Sequence, residues 1–298
     1  MSAVQFNKKG KVSRILPFSC VDGPGNRLVI FLQGCNFHCK SCHNPHTINH
    51  CHHCGECVEH CPTGALTQDA NNQVVWREEV CIHCDTCTDV CSFHSNPKIK
   101  EWSVAQVLER IRQQHLFISG VTVSGGEATL QLPFVLALFQ AIKTDRALAH
   151  LSCFIDSNGS LTTHGWEKLA PYTDGVMIDL KAWQSETHQW LTGRNNHRVI
   201  QSITHLVEVN MLHELRLLHI PGKSDLDCEL TALCELLQTL PSNVQIRLNA
   251  FQTHGVKGEA RAWAKCDYAE IERFAARLRQ HIAHPIILPS KTVLDHLR

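Results

Sequence analysis

Eleven of the sixteen cysteines in this 298-residue sequence lie between positions 35 and 91, in three groups of regular spacing. The first is Cys35, Cys39 and Cys42, a C-x3-C-x2-C loop that follows the apolar run Leu28 to Leu32. A [4Fe-4S] cluster normally takes four cysteines, so three leave one iron open to bind and polarise a substrate. The same loop, with His38 or His43 as a fourth ligand, would also suit a structural zinc. On these residues alone both chemistries stay open.

The second and third groups, Cys51, Cys54, Cys57, Cys61 and Cys81, Cys84, Cys87, Cys91, share the spacing C-x2-C-x2-C-x3-C. This is the bacterial two-cluster ferredoxin spacing, in which the fourth cysteine of each run ligates the other cluster. Cys51, Cys54, Cys57 and Cys91 are therefore assigned to one [4Fe-4S] cluster, and Cys81, Cys84, Cys87 and Cys61 to another. Structural zinc usually takes paired C-x2-C ligands, so two matched runs of four favour iron–sulfur. Pro62 follows Cys61, whereas Ser92 follows Cys91. Cys20, Cys153, Cys228, Cys234 and Cys266 are scattered and read as packing residues. His38, His43, His52, His53, His60 and His83 lie among the grouped cysteines without a consistent metal spacing.

Lys+Arg and Asp+Glu are equal at 28 each. No basic field favours nucleic acid or an anionic membrane, so partners must be recognised locally. No apolar run approaches the roughly 20 residues of a membrane span, and MSAVQFNKKGK lacks the apolar core of a signal peptide. A cytoplasmic protein is expected, and a reducing cytosol makes metal a better account of the cysteines than disulfides.

Outside the stretch from His50 to Ile99, short apolar runs alternate with amphipathic stretches, as in repeated βα units. Candidate strands are Leu28 to Leu32, Val121 to Ser124, Leu151 to Asp156, Val176 to Leu180, Glu214 to Ile220 and Val244 to Leu248. Helical periodicity runs over Val104 to Leu116, Phe134 to Ile142, Val199 to Val209 and Leu226 to Leu240, with Ser103 as an N-cap for the first. The expected fold is α/β: a partial (β/α)6 barrel of residues 1–49 and 100–298, with residues 50–99 inserted as a ferredoxin-like module for two [4Fe-4S] clusters.

Such folds gather their working residues at the carboxyl ends of strands. Four polar motifs fall there: Gln33-Gly34-Cys35, Ser124-Gly125-Gly126-Glu127, Asp156-Ser157-Asn158-Gly159 and Asp179-Leu180-Lys181. Gly125 and Gly126 would let backbone approach a ligand closely, and Glu127 could accept from an ammonium group. Taken singly, each motif is also an ordinary turn, and Asp179 with Lys181 an ordinary surface ion pair.

Together, the C-x3-C-x2-C loop, Gly125-Gly126-Glu127 and the six-stranded partial barrel resemble the radical S-adenosylmethionine (SAM) superfamily. More narrowly, Asp22-Gly23-Pro24-Gly25-Asn26-Arg27, Cys42-His43-Asn44-Pro45 and Thr122-Val123-Ser124-Gly125-Gly126-Glu127-Ala128 resemble glycyl radical enzyme activases, of which pyruvate formate-lyase activase is the familiar member. The insert resembles the larger members. With Leu248-Asn249-Ala250-Phe251 and His254-Gly255, the full pattern looks like the YjjW-type activases.

The resemblance implies that Cys35, Cys39 and Cys42 hold a catalytic [4Fe-4S] cluster, the third in the chain, whose fourth iron is chelated by SAM. It implies that Gly125, Gly126 and Glu127 meet the SAM amino group. Asp156 and Asn158 would lie near the ribose or a cation, Asp179, Lys181 and Arg216 near the methionine carboxylate, and backbone at Ser41, Cys42 and His43 against adenine. Ser41 stands where the superfamily usually has an aromatic residue. Gln252 stands where relatives often have histidine, with His254 a nearby candidate.

A flavodoxin- or ferredoxin-type donor would reduce the insert clusters, and the 5′-deoxyadenosyl radical from SAM would take hydrogen from a glycine of a partner glycyl radical enzyme. Asp22 and the glycines around it are candidates for meeting that partner, or form a simple turn. Rival readings are another radical SAM enzyme acting on a small molecule or peptide, an electron-transfer protein built on the insert, and a zinc-bound scaffold.

Overall fold

The computed structural model describes residues 4–296. In chain order its strands are β1 (Lys9–Ser19), β2 (Arg27–Leu32), β3 (Leu66–Gln68), β4 (Val74–Trp76), β5 (Lys100–Ser103), β6 (Gly120–Gly125), β7 (Ser152–Ser157), β8 (Gly175–Leu180), β9 (Leu212–His219), β10 (Gln245–Ala250) and β11 (Ile286–Ile287). Nine of them form one open sheet in the order β11-β10-β9-β8-β7-β6-β2-β1-β5. The six expected strands are its parallel centre, β2 and β6 to β10. β11 adds a short parallel edge, and β1 and β5 extend the other side antiparallel.

The central strands are apolar on both faces because helices cover one side and the other looks inward. On the helix Val104–Gln114, Val104, Val107, Leu108 and Ile111 form one buried stripe. Each such side chain contributes about 1.5–3 kcal/mol relative to exposure. Ser103 caps this helix: its Oγ accepts from the Gln106 N–H, while Gln106 Oε1 accepts from the Ser103 N–H. The observed helices Leu132–Thr144, His197–Glu208 and Leu230–Gln238 fall on the expected segments. The last is shorter than Leu226 to Leu240 because Leu226 to Glu229 form a turn closed by Asp225. Sequence periodicity had not marked Thr163–Leu169, Ser185–Thr192 or Tyr268–Arg279, which are helices.

Within residues 50–99, β3 and β4 pair antiparallel, and two one-turn helices, Glu56–Glu59 and Thr86–Asp89, carry Cys57 and Cys87. Cys57, Leu66, Val74 and Cys87 form an apolar cluster separate from the main core. The backbone repeats at a 30-residue offset: His53 and His83, Gly55 and Asp85, and Gly64 and His94 all have positive φ. Both cysteine runs thus fold into the same loop. Asn96 Nδ2 donates to Ser13 Oγ at 3.2 Å, and Lys257 Nζ to the carbonyl of Thr88 at 2.6 Å, tying this segment to the sheet.

Candidate active site

The loop of Cys35, Cys39 and Cys42 is held from both sides by backbone hydrogen bonds. Gly34 and Cys35 donate to the carbonyls of Thr47 and Ile48, and His38 and Lys40 to those of Thr192 and Leu191. Phe37 is buried beneath the loop, edge-on to His188 at 5.6 Å. Burial pushes the Cys35 and Cys39 thiols up to about 12, and raises that of Cys42. A metal cluster binds thiolates, so loading this loop releases protons.

Gly125 ends β6 against Leu32 of β2, and Gly126 follows it against Gly34, beside the cysteine loop. Gly125 has φ +127°, and a Cβ there would stand 2.2 Å from the Leu32 carbonyl oxygen; one on Gly126 would stand 2.4 Å from the Gly34 oxygen. Glu127 is fully buried, and its carboxylate is filled by protein donors: the Thr129 N–H and Oγ1, Ser157 Oγ, and the Asn158 N–H at 2.7 Å. Burial raises its pKa against those donors. The Glu127 side chain therefore binds the end of β6 to the end of β7. Asn158 in turn donates from Nδ2 to Asn36 Oδ1 at 3.0 Å, inside the cysteine loop.

Beyond β7 the edge is charged. Asp156 accepts from Arg216 Nη1 and Ser124 Oγ, each at 2.9 Å, and Arg216 Nε donates to buried Glu214 at 2.6 Å. Lys181 pairs with Asp179 at 2.9 Å. Burial alone would lower Lys181, but Asp179 and then the Cys39 and Cys42 sulfurs outweigh it and raise its pKa. Burial would raise Asp179, but Lys181 and Arg216 hold it down. Burial pushes the Asp156 carboxyl up against the pull of Arg216, and the charges of Asp179 and Asp22 add to the rise.

After β10, Gln252 turns its amide onto the Cys266 carbonyl at 2.9 Å, whereas His254 is exposed. Gly255, at φ +73°, packs on the His43 carbonyl. Ser41 is buried, and the His43 ring meets Phe251 at 6.4 Å. The Asp22–Asn26 loop precedes β2 and folds back onto β6, the Asp22 carbonyl accepting from Thr122 Oγ1 at 2.6 Å. Arg27 anchors it with bonds to the Pro24 carbonyl, Thr122 Oγ1, Ser152 and the Val121 carbonyl, and burial pushes the guanidinium down to about 10.

Two small pockets lie in residues 50–99. One is lined by Cys51, Cys54, Cys57 and Cys91, the other by Cys81, Cys84, Cys87 and Cys61. Burial raises Cys57 to about 12, while Cys61 falls because the N–H groups of Leu66, Thr63 and Ala65 outweigh burial. Among the described residues, the one group of three metal-type ligand atoms within 4.8 Å of one another is His219, Cys266 and Glu270. No three of the grouped thiols among the described residues lie within 4.8 Å of one another, whereas zinc–sulfur bonds of about 2.3 Å would hold them roughly 3.8 Å apart. Their donor sets and cavities fit a four-iron cube rather than a single zinc ion.

Sequence reasoning missed Glu214, Arg247, Ser157 and Thr129. The signal for the first was present: Glu214 and Arg216 alternate on one face of a strand. Of the five scattered cysteines, Cys153 and Cys234 are buried as packing residues should be, while Cys266, also buried, lies beside His219 and Glu270. Cys20 and Cys228 are exposed, so packing does not describe them: one borders the Asp22 turn and the other the turn before the helix Leu230–Gln238.

The pattern of the Radical SAM superfamily matches residues 29–234. The chain is 30% identical over 254 residues to the pyruvate formate-lyase-activating enzyme of Listeria monocytogenes, covering 83% of this chain and 84% of that one. It is 28% identical over 255 residues to the isethionate sulfite-lyase activating enzyme of Desulfovibrio desulfuricans, covering 78% and 80%. In structure it is similar to QueE from Escherichia coli, with a TM-score of 0.50 at 15% identity over 95% of this chain and 94% of that one, a likeness of fold alone. With its cysteine loop, its Gly125-Gly126-Glu127 turn and its mostly parallel sheet, the chain belongs to the radical SAM superfamily, in the family of the pyruvate formate-lyase-activating enzymes.

Proposed function

We propose that this chain installs a glycyl radical in a partner enzyme, using SAM at the Cys35, Cys39 and Cys42 loop and electrons relayed through two further [4Fe-4S] clusters in residues 50–99. Family membership makes it a radical SAM activating enzyme with a [4Fe-4S] cluster and SAM. When bound, these supply reductive cleavage of SAM to methionine and a 5′-deoxyadenosyl radical, which removes a hydrogen atom from the partner's glycine. The observation that carries the reading is convergence: the ends of β6 and β7 bring Gly126 and Asn158 against one cysteine loop.

The residues take roles that follow from their surroundings. Cys35, Cys39 and Cys42 hold the cluster. Gly125 and Gly126 offer backbone without a side chain, and Glu127 positions that backbone instead of contacting the ligand itself, since its oxygens are already filled. Lys181 and Arg216 hold positive charge for a carboxylate, with Asp156 and Asp179 setting their geometry. His43, Gln252 and His254 border the loop on its far side.

Beside the Asp22 turn, Phe18 at the end of β1 and Val21 are 53% and 73% exposed, an apolar surface suited to a protein partner. The two cavities of residues 50–99 suit electron entry from a flavodoxin- or ferredoxin-type donor. Among the described residues no helix is long and apolar enough to cross a membrane. Charge balance disfavours nucleic acid, and we place the enzyme in the cytoplasm, where reduced thiols persist.

Anaerobic reconstitution tests the whole reading. About twelve irons per chain, from three four-iron clusters, with dithionite-driven SAM cleavage abolished by Cys39→Ala, is the expected result. About eight irons and intact SAM in both proteins would replace the enzyme with an electron carrier.

A further inference from the structure

His219, Cys266 and Glu270 come from three places in the chain: the end of β9, the end of the loop after β10, and the first turn of the helix Tyr268–Arg279. Their ligand-type atoms all lie within 4.8 Å of one another. His219 Nε2 and Glu270 Oε1 are 3.0 Å apart, close to the roughly 3.3 Å edge of a tetrahedron with zinc–nitrogen and zinc–oxygen bonds near 2.0–2.1 Å. We propose that these three side chains bind one zinc ion, distinct from every iron–sulfur site in the chain.

The donor set fits. Sulfur, imidazole and carboxylate together suit a borderline-soft divalent ion, and three protein ligands leave a fourth position for water. His219 and Cys266 are 2% and 0% exposed, while Glu270 is partly exposed and gives an entry path. Beyond the triad, His219 Nδ1 is buried, has no hydrogen-bond partner, and faces Asp227 Oδ1 at 3.8 Å. A histidine bound to metal through Nε2 carries its proton on Nδ1, and a carboxylate on that side is the usual outer partner. A plain His219–Glu270 hydrogen bond accounts for Nε2 but leaves Nδ1 orphaned, and the adjoining thiol makes only a long contact, 3.5 Å, with the Asp267 carbonyl.

The ion would close a clip. Residues 251–266 run out from β10 and back, carrying Gln252, His254 and the Gly255 that packs on His43. Zinc would fasten the returning end, at Cys266, to β9 and to the helix Tyr268–Arg279, and so hold this segment against the cysteine loop. The inference does not depend on what that loop catalyses.

The test uses the anaerobically purified, iron-loaded protein, incubated with zinc alone and desalted. The expected result is about one zinc per chain whose X-ray absorption shows one sulfur near 2.3 Å and nitrogen or oxygen neighbours near 2.0–2.1 Å. Glu270→Gln and Cys266→Ser should each lose that zinc while keeping their iron, and protease cleavage within residues 251–266 should speed up at least several-fold. Absence of zinc in the wild type, an all-sulfur shell, or zinc retained in both variants would each overturn the proposal. Because Glu270 is partly exposed, its variant keeps the test meaningful even if Cys266→Ser loses iron through misfolding.

Discussion

Arg216 on β9 reaches Asp156 on β7 at 2.9 Å, across the intervening β8. The same guanidinium meets Glu214 and the sulfur of Met177, so one side chain ties three strands together at the charged edge. Arg216 and Glu214 are only 12% and 3% exposed; removing Arg216 leaves Asp156 a buried uncompensated charge, while Glu214 keeps Arg247 Nε at 2.9 Å. Arg216→Met should cost about 3–5 kcal/mol in urea unfolding. Adding Asp156→Asn should recover part of that loss, because it removes the stranded charge; no recovery would show that the cost is packing alone.

Gly126 sits where a methyl group would meet backbone oxygens of Gly34 at 2.4 Å and Thr47 at 2.7 Å. Backbone cannot step aside as the tip of a side chain can. Gly126→Ala should cost about 1–3 kcal/mol and displace the cysteine loop. Mössbauer spectra should then show the SAM-cleaving cluster diminished and the two insert clusters unchanged.

Cys153, fully buried on β7, has its thiol pushed up from 9.0 to about 12 by burial. An acid whose folded pKa lies above its unfolded value contributes fully below the unfolded value and loses that contribution as pH rises toward the folded one. Stability should therefore fall between pH 9 and 12, by up to about 1.4 kcal/mol per unit from this residue. Urea midpoints at pH 8 and pH 10 should differ less in Cys153→Ala than in the wild type. Equal differences would assign the alkaline loss to other groups.

Phe18 and Val21 flank the Asp22 turn with exposed apolar surface. Replacing both by serine should leave dithionite-driven SAM cleavage unchanged and slow radical transfer to the partner at least fivefold, as expected for contacts worth more than 1 kcal/mol. Unaltered transfer would move the docking surface elsewhere.

Much of this was legible beforehand. The six central strands are buried on both faces, so their apolar runs stood out, and the Ser103 cap declared itself through Gln106 three residues on. β1 was harder: its Lys, Arg and Pro residues break the apolar alternation, and only pairing with β2 on one side and β5 on the other makes it a strand. The cysteine groups were readable because their ligands are local in sequence. Glu127 was found but its work was not, because its partners Thr129, Ser157 and Asn158 converge only after β6 and β7 pair. The His219, Cys266 and Glu270 triad has no spacing to read, since its first two members are joined only when β10 returns beside β9.

The exchange of cysteines between the two cavities of residues 50–99 makes them interdependent. Each cavity takes three thiols from its own run and one from the other, Cys91 or Cys61. A chain that lost either run would keep three walls of one cavity and one of the other, and neither would close. Loss of either run would therefore open both sites at once.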